Sequence, residues 1–191
     1  MNFINRSIIR QCIVAVGIVL NIVGAFIAAS LHLPVYLDSI GTIMNGALMG
    51  PAYAIATGIL GSLISGFTFD VYSIYFAPVQ IFTGLMAGLL FHKSRWLKGW
   101  RTPAGIFLLS LPTSIVSAMI SAFVFGGITS SGSSFLVQIL SHSGLNLTLS
   151  CLIVQIITDY LDKFLAVLLV TAVLSAMTDR MRQSLLPRCK P

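Results

Sequence analysis

The sequence predicts an all-α integral membrane protein of six transmembrane helices. Both termini are expected in the cytoplasm, and the second and third spans are expected to be short and glycine-rich. Three observations carry this. The 191-residue chain is 57% hydrophobic and 8% charged, with a mean hydropathy of +0.97, whereas soluble domains carry about a quarter charged residues. Its apolar segments fall at roughly 8–32, 37–49, 51–67, 75–91, 103–127 and 151–177, which leaves no room for a separate soluble domain. With six spans, Arg6, Arg10, Lys93, Arg95, Lys98, Arg101, Arg180, Arg182, Arg188 and Lys190 share one side, all of the 11 basic residues but Lys163. The positive-inside bias makes that side cytoplasmic. The net charge of +6 therefore reads as topology and not as nucleic-acid binding.

The first span follows Arg6 and Arg10. Its apolar run from Ile8 to Leu31 is longer than a signal-peptide core, so it is a retained helix. Gly50-Pro51 separates the second and third spans. Thirteen residues, 37–49, reach only about 20 Å against a hydrocarbon core of about 30 Å. Short, glycine-interrupted spans are places where irregular backbone lines a cavity. Gly58, Gly61, Ser62, Ser65 and Gly66 fit close helix packing better than a ligand role.

The connection 67–80 leads into the fourth span and is rich in aromatics. Tyr72, Tyr75 and Phe76 suit either an interfacial belt or a lid over a ligand. Gln80, just after Pro78, points into the top of that span. The basic stretch His92–Arg101 precedes the fifth span, and the serine-rich 126–134 follows it as an external loop. Residues 135–150 read as a partial or re-entrant helix over the outer mouth, which puts His142 and Asn146 there. The sequon at Asn146 carries no weight.

The last span holds Asp159, Asp162 and Lys163. Each ionisable residue in a span opposes insertion by about 2.5–3.5 kcal/mol, so each is a functional candidate. Asp159 and Lys163 are four apart and can pair along one face; that couple would leave Asp162 uncompensated. On a helix, Asp38, Thr42 and Asn45 form a stripe at i, i+4 and i+7. Two polar stripes at similar depth suggest a pocket open to the outside. Its expected substrate-binding residues are Asp38, Thr42, Asn45, Asp159 and Lys163, with Tyr72, Tyr75, Gln80, His142 and Asn146 from the connections above. The alternatives are helix–helix hydrogen bonds for Thr42 and Asn45 and a helix cap for Asp38, beside Ser39.

No HExxH, GxSxG, Walker A or dinucleotide fingerprint is present. Cys12, Cys151 and Cys189 lack paired spacing, and His32, His92 and His142 lie far apart. Neither an enzyme nor a bound metal or cofactor is expected. Without an ATP site, the chain cannot drive uphill transport from ATP alone.

The block "LPVYLDSIGTIMNGALMGP", the basic loop between the fourth and fifth spans, and "DYLDKFLAVLLV" in the last span resemble the S component of energy-coupling factor (ECF) vitamin transporters. The resemblance covers nearly the whole chain. It implies a multi-pass protein of the bacterial cell membrane that binds a small water-soluble vitamin from outside. It also implies partners, two cytosolic ATPases and a membrane T component, and release of the vitamin by toppling in the bilayer. Many S components dock the T component through Ala-x-x-x-Ala in the first span. Here Ala15 is followed by Val19, and Gln11, Ala15 and Gly17 are the nearest candidates. Lys163, the one cation in the spans, favours an anionic vitamin, and the sequence is similar to the pantothenate branch. Asp38, Asp159 and Asp162 point instead to a cationic or hydroxyl-rich ligand. A membrane sensor or receptor domain is the alternative from another class.

Overall fold

The computed structural model describes residues 3–92 and 99–176, and every regular element among them is helical. The elements are α1 (Phe3–Ser30), α2 (Ile40–Met49), α3 (Pro51–Thr68), α4 (Tyr72–Tyr75), α5 (Ala77–Phe91), α6 (Thr102–Phe125), α7 (Ser133–His142) and α8 (Leu147–Ala176). The six expected apolar segments coincide with α1, α2, α3, α5, α6 and α8. The short helices α4 and α7 occupy two connections, and α7 covers half of the stretch 135–150, whose last four residues belong to α8. The basic residues Lys93, Arg95, Lys98, Arg180, Arg182, Arg188 and Lys190 lie outside the described residues.

Among the described residues, three helices are long and apolar enough to cross a bilayer: Ser7–Ser30, Pro51–Thr68 and Gly99–Phe125. They mark the chain as a membrane protein. At 30 residues, α8 has the length as well, about 45 Å. It differs in that every 18-residue stretch of it contains Asp159, Asp162 and Lys163. At 10 and 15 residues, α2 and α5 reach only about 15 and 22 Å.

Polarity is inverted relative to a soluble bundle. Val16, Val19, Phe26, Phe107, Ile157, Leu161 and Leu168 are exposed, while Asn21, Thr42, Gln80, Ser114, Gln155 and Asp159 are buried. The buried face of α8 recurs every three or four residues. Its first half is polar: Gln155, Thr158, Asp159, Asp162 and Lys163. Its second half is apolar, with Ala166, Val167, Val170 and Leu174. The apolar half packs against Ile43, Leu48, Ala87, Phe91, Ile106 and Leu109 from α2, α5 and α6. One end of the bundle thus has an ordinary hydrophobic core, and the other holds the site.

The start of α2 corrects one expectation. Its first helical residue is Ile40, so Asp38 lies in the preceding loop and shares no helical stripe with Thr42 and Asn45. Neither Asp38 nor Ser39 caps the helix; Ser39 makes no side-chain cap bond. The cap comes from α1. Asn21 Oδ1 accepts the Gly41 N–H at 2.7 Å and the Thr42 N–H at 3.3 Å, and its Nδ2 donates to Thr42 Oγ1 at 2.8 Å. This brings α1 so close that a Cβ on Gly41 would overlap the Gly17 carbonyl, and one on Gly17 would overlap the Asn45 amide. Small residues at such crossings let backbones approach in a setting where lipid supplies no hydrophobic drive.

Asn21→Ala would leave the Gly41 and Thr42 amides buried without their acceptor. The expected loss is about 1–3 kcal/mol, read as a lower thermal midpoint of the detergent-purified protein. Asn21→Asp keeps the acceptor and should lose less.

Candidate ligand-binding site

The site is organised around the α1–α2 loop, residues 31–39. Two non-glycine residues in it adopt left-handed backbone, His32 with φ 48° and Leu37 with φ 52°. Each such residue costs about 1–3 kcal/mol and persists only where its surroundings hold it. Here they do so from several sides. Asp162 of α8 accepts the Leu37 N–H at 2.7 Å and the Ser39 hydroxyl at 3.2 Å. Gln80 of α5 donates through Nε2 to the Asp38 carbonyl at 3.2 Å. The Leu33 carbonyl accepts the Gly132 N–H at 3.1 Å and the Ser131 hydroxyl at 3.3 Å. Gly24 of α1 presses on the Leu37 carbonyl, where any Cβ would collide.

Asp162 also accepts a charge-assisted bond from Lys163 Nζ at 2.8 Å, with both side chains buried. Adjacent helical residues do not ordinarily face each other, but the four-carbon lysine stem reaches back. The expected Asp159–Lys163 couple is therefore corrected. The partner is Asp162, which is fully compensated by three donors. Asp159 is the carboxylate left over: its Oδ2 is buried with no hydrogen-bond partner, and its residue is 2% exposed.

Tyr36 and Asp38 divide two cavities of about 20 Å³ each, room for roughly one water apiece. The inner one is lined by Tyr36, Asp38, Phe76, Val79, Ser117, Asp159 and Lys163. The outer one includes Asp38, Asp70, Ser73, Ser130 and Ser131. Asp70 Oδ2 accepts from Ser73 at 3.0 Å and Ser130 at 3.1 Å, which ties the two outer connections together. Among the described residues, three further buried side-chain atoms lack partners: Gln155 Oε1, one helical turn from Asp159, the Tyr36 hydroxyl, and Asn45 Oδ1, which lies away from both cavities. An aromatic cluster extends from Phe76 and Tyr36, which line the inner cavity. Tyr72 and Tyr75 meet the Phe125 ring edge-on at 4.9 and 5.2 Å, and Phe76 lies 6.1 Å from Phe125 and 6.0 Å from Tyr36.

The structure thus gathers Asp38, Asp159 and Lys163 at the inner cavity, whereas Tyr72 and Tyr75 pack on Phe125 and line neither cavity. Gln80 and Thr42 stand behind the inner cavity. Thr42 Oγ1 donates to Gln80 Oε1 at 3.0 Å, which continues a relay from Asn21 to the Asp38 carbonyl. Asn45 is not brought to the cavity. Its Nδ2 donates to Thr57 Oγ1 at 2.7 Å and the Ile13 carbonyl at 3.4 Å, binding α2 to α3 and α1. Asn146 caps α8 by accepting the Thr148 N–H at 3.2 Å. His142 is exposed at the end of α7. Of the docking candidates, Gln11 and Ala15 are exposed on α1. Gly17 is buried at the α1–α2 crossing and offers no docking surface.

Tyr36, Gln155, Ser117 and Asn21 were not among the expected site residues. Gln155 had a signal, since it lies four residues before Asp159 on the same face. Tyr36 sits two residues before Asp38 in the quoted block but reads as an interfacial tyrosine. No family model matches the chain, and no curated protein or solved structure is detectably similar to it.

Asp162→Asn removes the counter-charge of a buried lysine. Losing one partner of such a pair destabilises by about 3–5 kcal/mol, so this variant should accumulate poorly. Lys163→Met leaves Asp162 with two donors and should be milder. The double variant Asp162→Asn/Lys163→Met should recover stability relative to Asp162→Asn alone, as measured by detergent-resistant yield and thermal midpoint.

Proposed function

We propose that this chain is the membrane-embedded, high-affinity binding subunit for uptake of a small water-soluble vitamin. In this reading it works as the S component of an ECF transporter in the bacterial cell membrane. The observation that carries it is the inner cavity. Asp159 and Tyr36 line this small space, with Asp159 Oδ2 and the Tyr36 hydroxyl buried and unpartnered. Gln155 Oε1 is unmet one helical turn from Asp159, and the strained α1–α2 loop supplies Tyr36 and Asp38. Unmet buried polar atoms oppose folding by about 1–3 kcal/mol each. Scaffold side chains nearby find partners, as Asn21 and Asp162 do. The one unmet scaffold atom among the described residues, Asn45 Oδ1, lies away from the cavity; the other three unmet atoms, at or next to it, support a ligand site.

Six spans with both termini cytoplasmic put this cavity at the external end of the bundle. Two cavities of about 20 Å³ are far below the roughly 300–1,000 Å³ of a small-molecule site. Binding therefore requires the partition formed by Tyr36 and Asp38 to move aside, which would join the two spaces. Among vitamins, pantothenate loses the free cation that favoured it, because Lys163 is held by Asp162. Energy for uptake comes from partner subunits, namely two cytosolic ATPases and a T component docked on the exposed face of α1 near Gln11 and Ala15.

Affinity purification of the tagged chain from its native membrane tests the assignment. Co-purification with two ATPases and a larger membrane protein is the expected result; recovery alone or with a kinase would favour the sensor reading. Reporter fusions after Lys98 and Lys190 should both report cytoplasmic, and an external signal from either would overturn the six-span topology.

A further inference from the structure

We propose that the ligand presents a cationic nitrogen to Asp159, seated in the inner cavity between Asp159 and Asp38. This rests on the ligand-binding reading above and concerns the charge of the ligand.

The charge inventory around the two cavities is lopsided. Asp38 lines both, Asp70 lines the outer one and Asp159 the inner one, with Asp162 directly behind. The chain contains only 5 acidic residues, so four of them converge on this end of the bundle. Among the described residues one buried ammonium opposes them, Lys163, and Asp162 neutralises it. Asp70 is occupied by two serine hydroxyls. Asp159 is not: its Oδ2 has no partner, although it is almost wholly enclosed. The charged groups facing it are Lys163, Asp162 and Asp38.

A buried carboxylate needs a counter-charge or donors, because the low-dielectric interior penalises it otherwise. A ligand carboxylate placed here would face Asp159 and Asp38, and the one cation lining the cavity, Lys163, is already neutralised by Asp162. A neutral hydroxyl would bond to Asp159 Oδ2 but leave the excess negative charge in place. A cationic nitrogen satisfies both, and it can reach Gln155 Oε1 one turn away on the same helical face. The inner cavity, at about 20 Å³, already has room for a group of ammonium size. Only the rest of the molecule requires the Tyr36–Asp38 partition to move. The acidic outer cavity would also draw cations toward the site, since charge-lined clefts focus the local field.

The test is mass spectrometry of the small molecule retained by the full-length chain after purification in mild detergent, comparing wild type with Asp159→Asn. Thermal shifts are measured in parallel with thiamine as a cationic probe, riboflavin as a neutral one and pantothenate as an anion. The expected result is a retained ligand bearing a cationic nitrogen, with occupancy about tenfold or more lower in Asp159→Asn. A shift with thiamine and none with pantothenate would add support. A retained ligand without a cationic nitrogen, or one held equally by Asp159→Asn, overturns the charge assignment and leaves the binding function standing. No retained ligand together with no shift from any probe overturns both. If Asp159→Asn does not accumulate, the charge of the ligand held by wild type decides the matter alone.

Discussion

A single carboxylate, that of Asp162, takes the Leu37 amide, the Ser39 hydroxyl and the Lys163 ammonium at once. Each bond has a separate consequence. The first fixes a left-handed residue in the α1–α2 loop and holds that loop against α8. The second sets where α2 begins, because Ser39 is the residue before its first turn. The third neutralises Lys163, the only buried cation among the described residues. Charge-assisted bonds of this kind are about twice as strong as neutral ones, and their low-dielectric surroundings raise the penalty for losing any partner.

From that anchor the rest of the polar interior follows as a set of paired groups. Asn21 caps α2 and meets Thr42; Thr42 meets Gln80; Gln80 meets the Asp38 carbonyl. Asn45 and Thr57 make a second, independent link. In lipid such pairings do what hydrophobic burial does in water, and they explain how a ten-residue α2 tolerates an asparagine and a threonine at its centre. Of the four buried side-chain atoms left unmet among the described residues, Asn45 Oδ1 lies in the α1–α2–α3 scaffold, while the Asp159 carboxylate and the Tyr36 hydroxyl belong to residues lining the inner cavity and Gln155 Oε1 is one helical turn from Asp159. Three of the four unmet atoms thus fall at or next to one cavity.

Much of the fold was legible because helices in lipid announce themselves by length and apolarity. The segment boundaries expected for α3, 51–67, differ from those observed by one residue. The start of α2 was not legible, because its cap is Asn21, nineteen positions earlier than Ile40, and no local pattern reveals a partner on another helix. For the same reason the charged turn of α8 was recognised as important but paired wrongly. Spacing of four favoured Asp159 with Lys163, whereas the loop amide and hydroxyl that make Asp162 the better acceptor arrive from residues 37 and 39. Asn146 and His142 were placed over the site on the strength of a polar connection; Asn146 spends its side chain on capping α8. Tyr36 and Gln155 were missed because an unmet hydrogen bond is a property of the folded surroundings and cannot be read from the residue type.

The Asp162 side chain holds the α1–α2 loop in its strained conformation. Hydrogen–deuterium exchange of peptides spanning residues 31–41 tests this, compared between wild type and an Asp162→Leu/Lys163→Met double variant, which removes both the acceptor and the cation and keeps the interior neutral. Exchange across this loop should rise sharply in the double variant while peptides from α3 and α6 stay protected. Unchanged protection of the loop, with Leu37 as slow to exchange as in wild type, would contradict it.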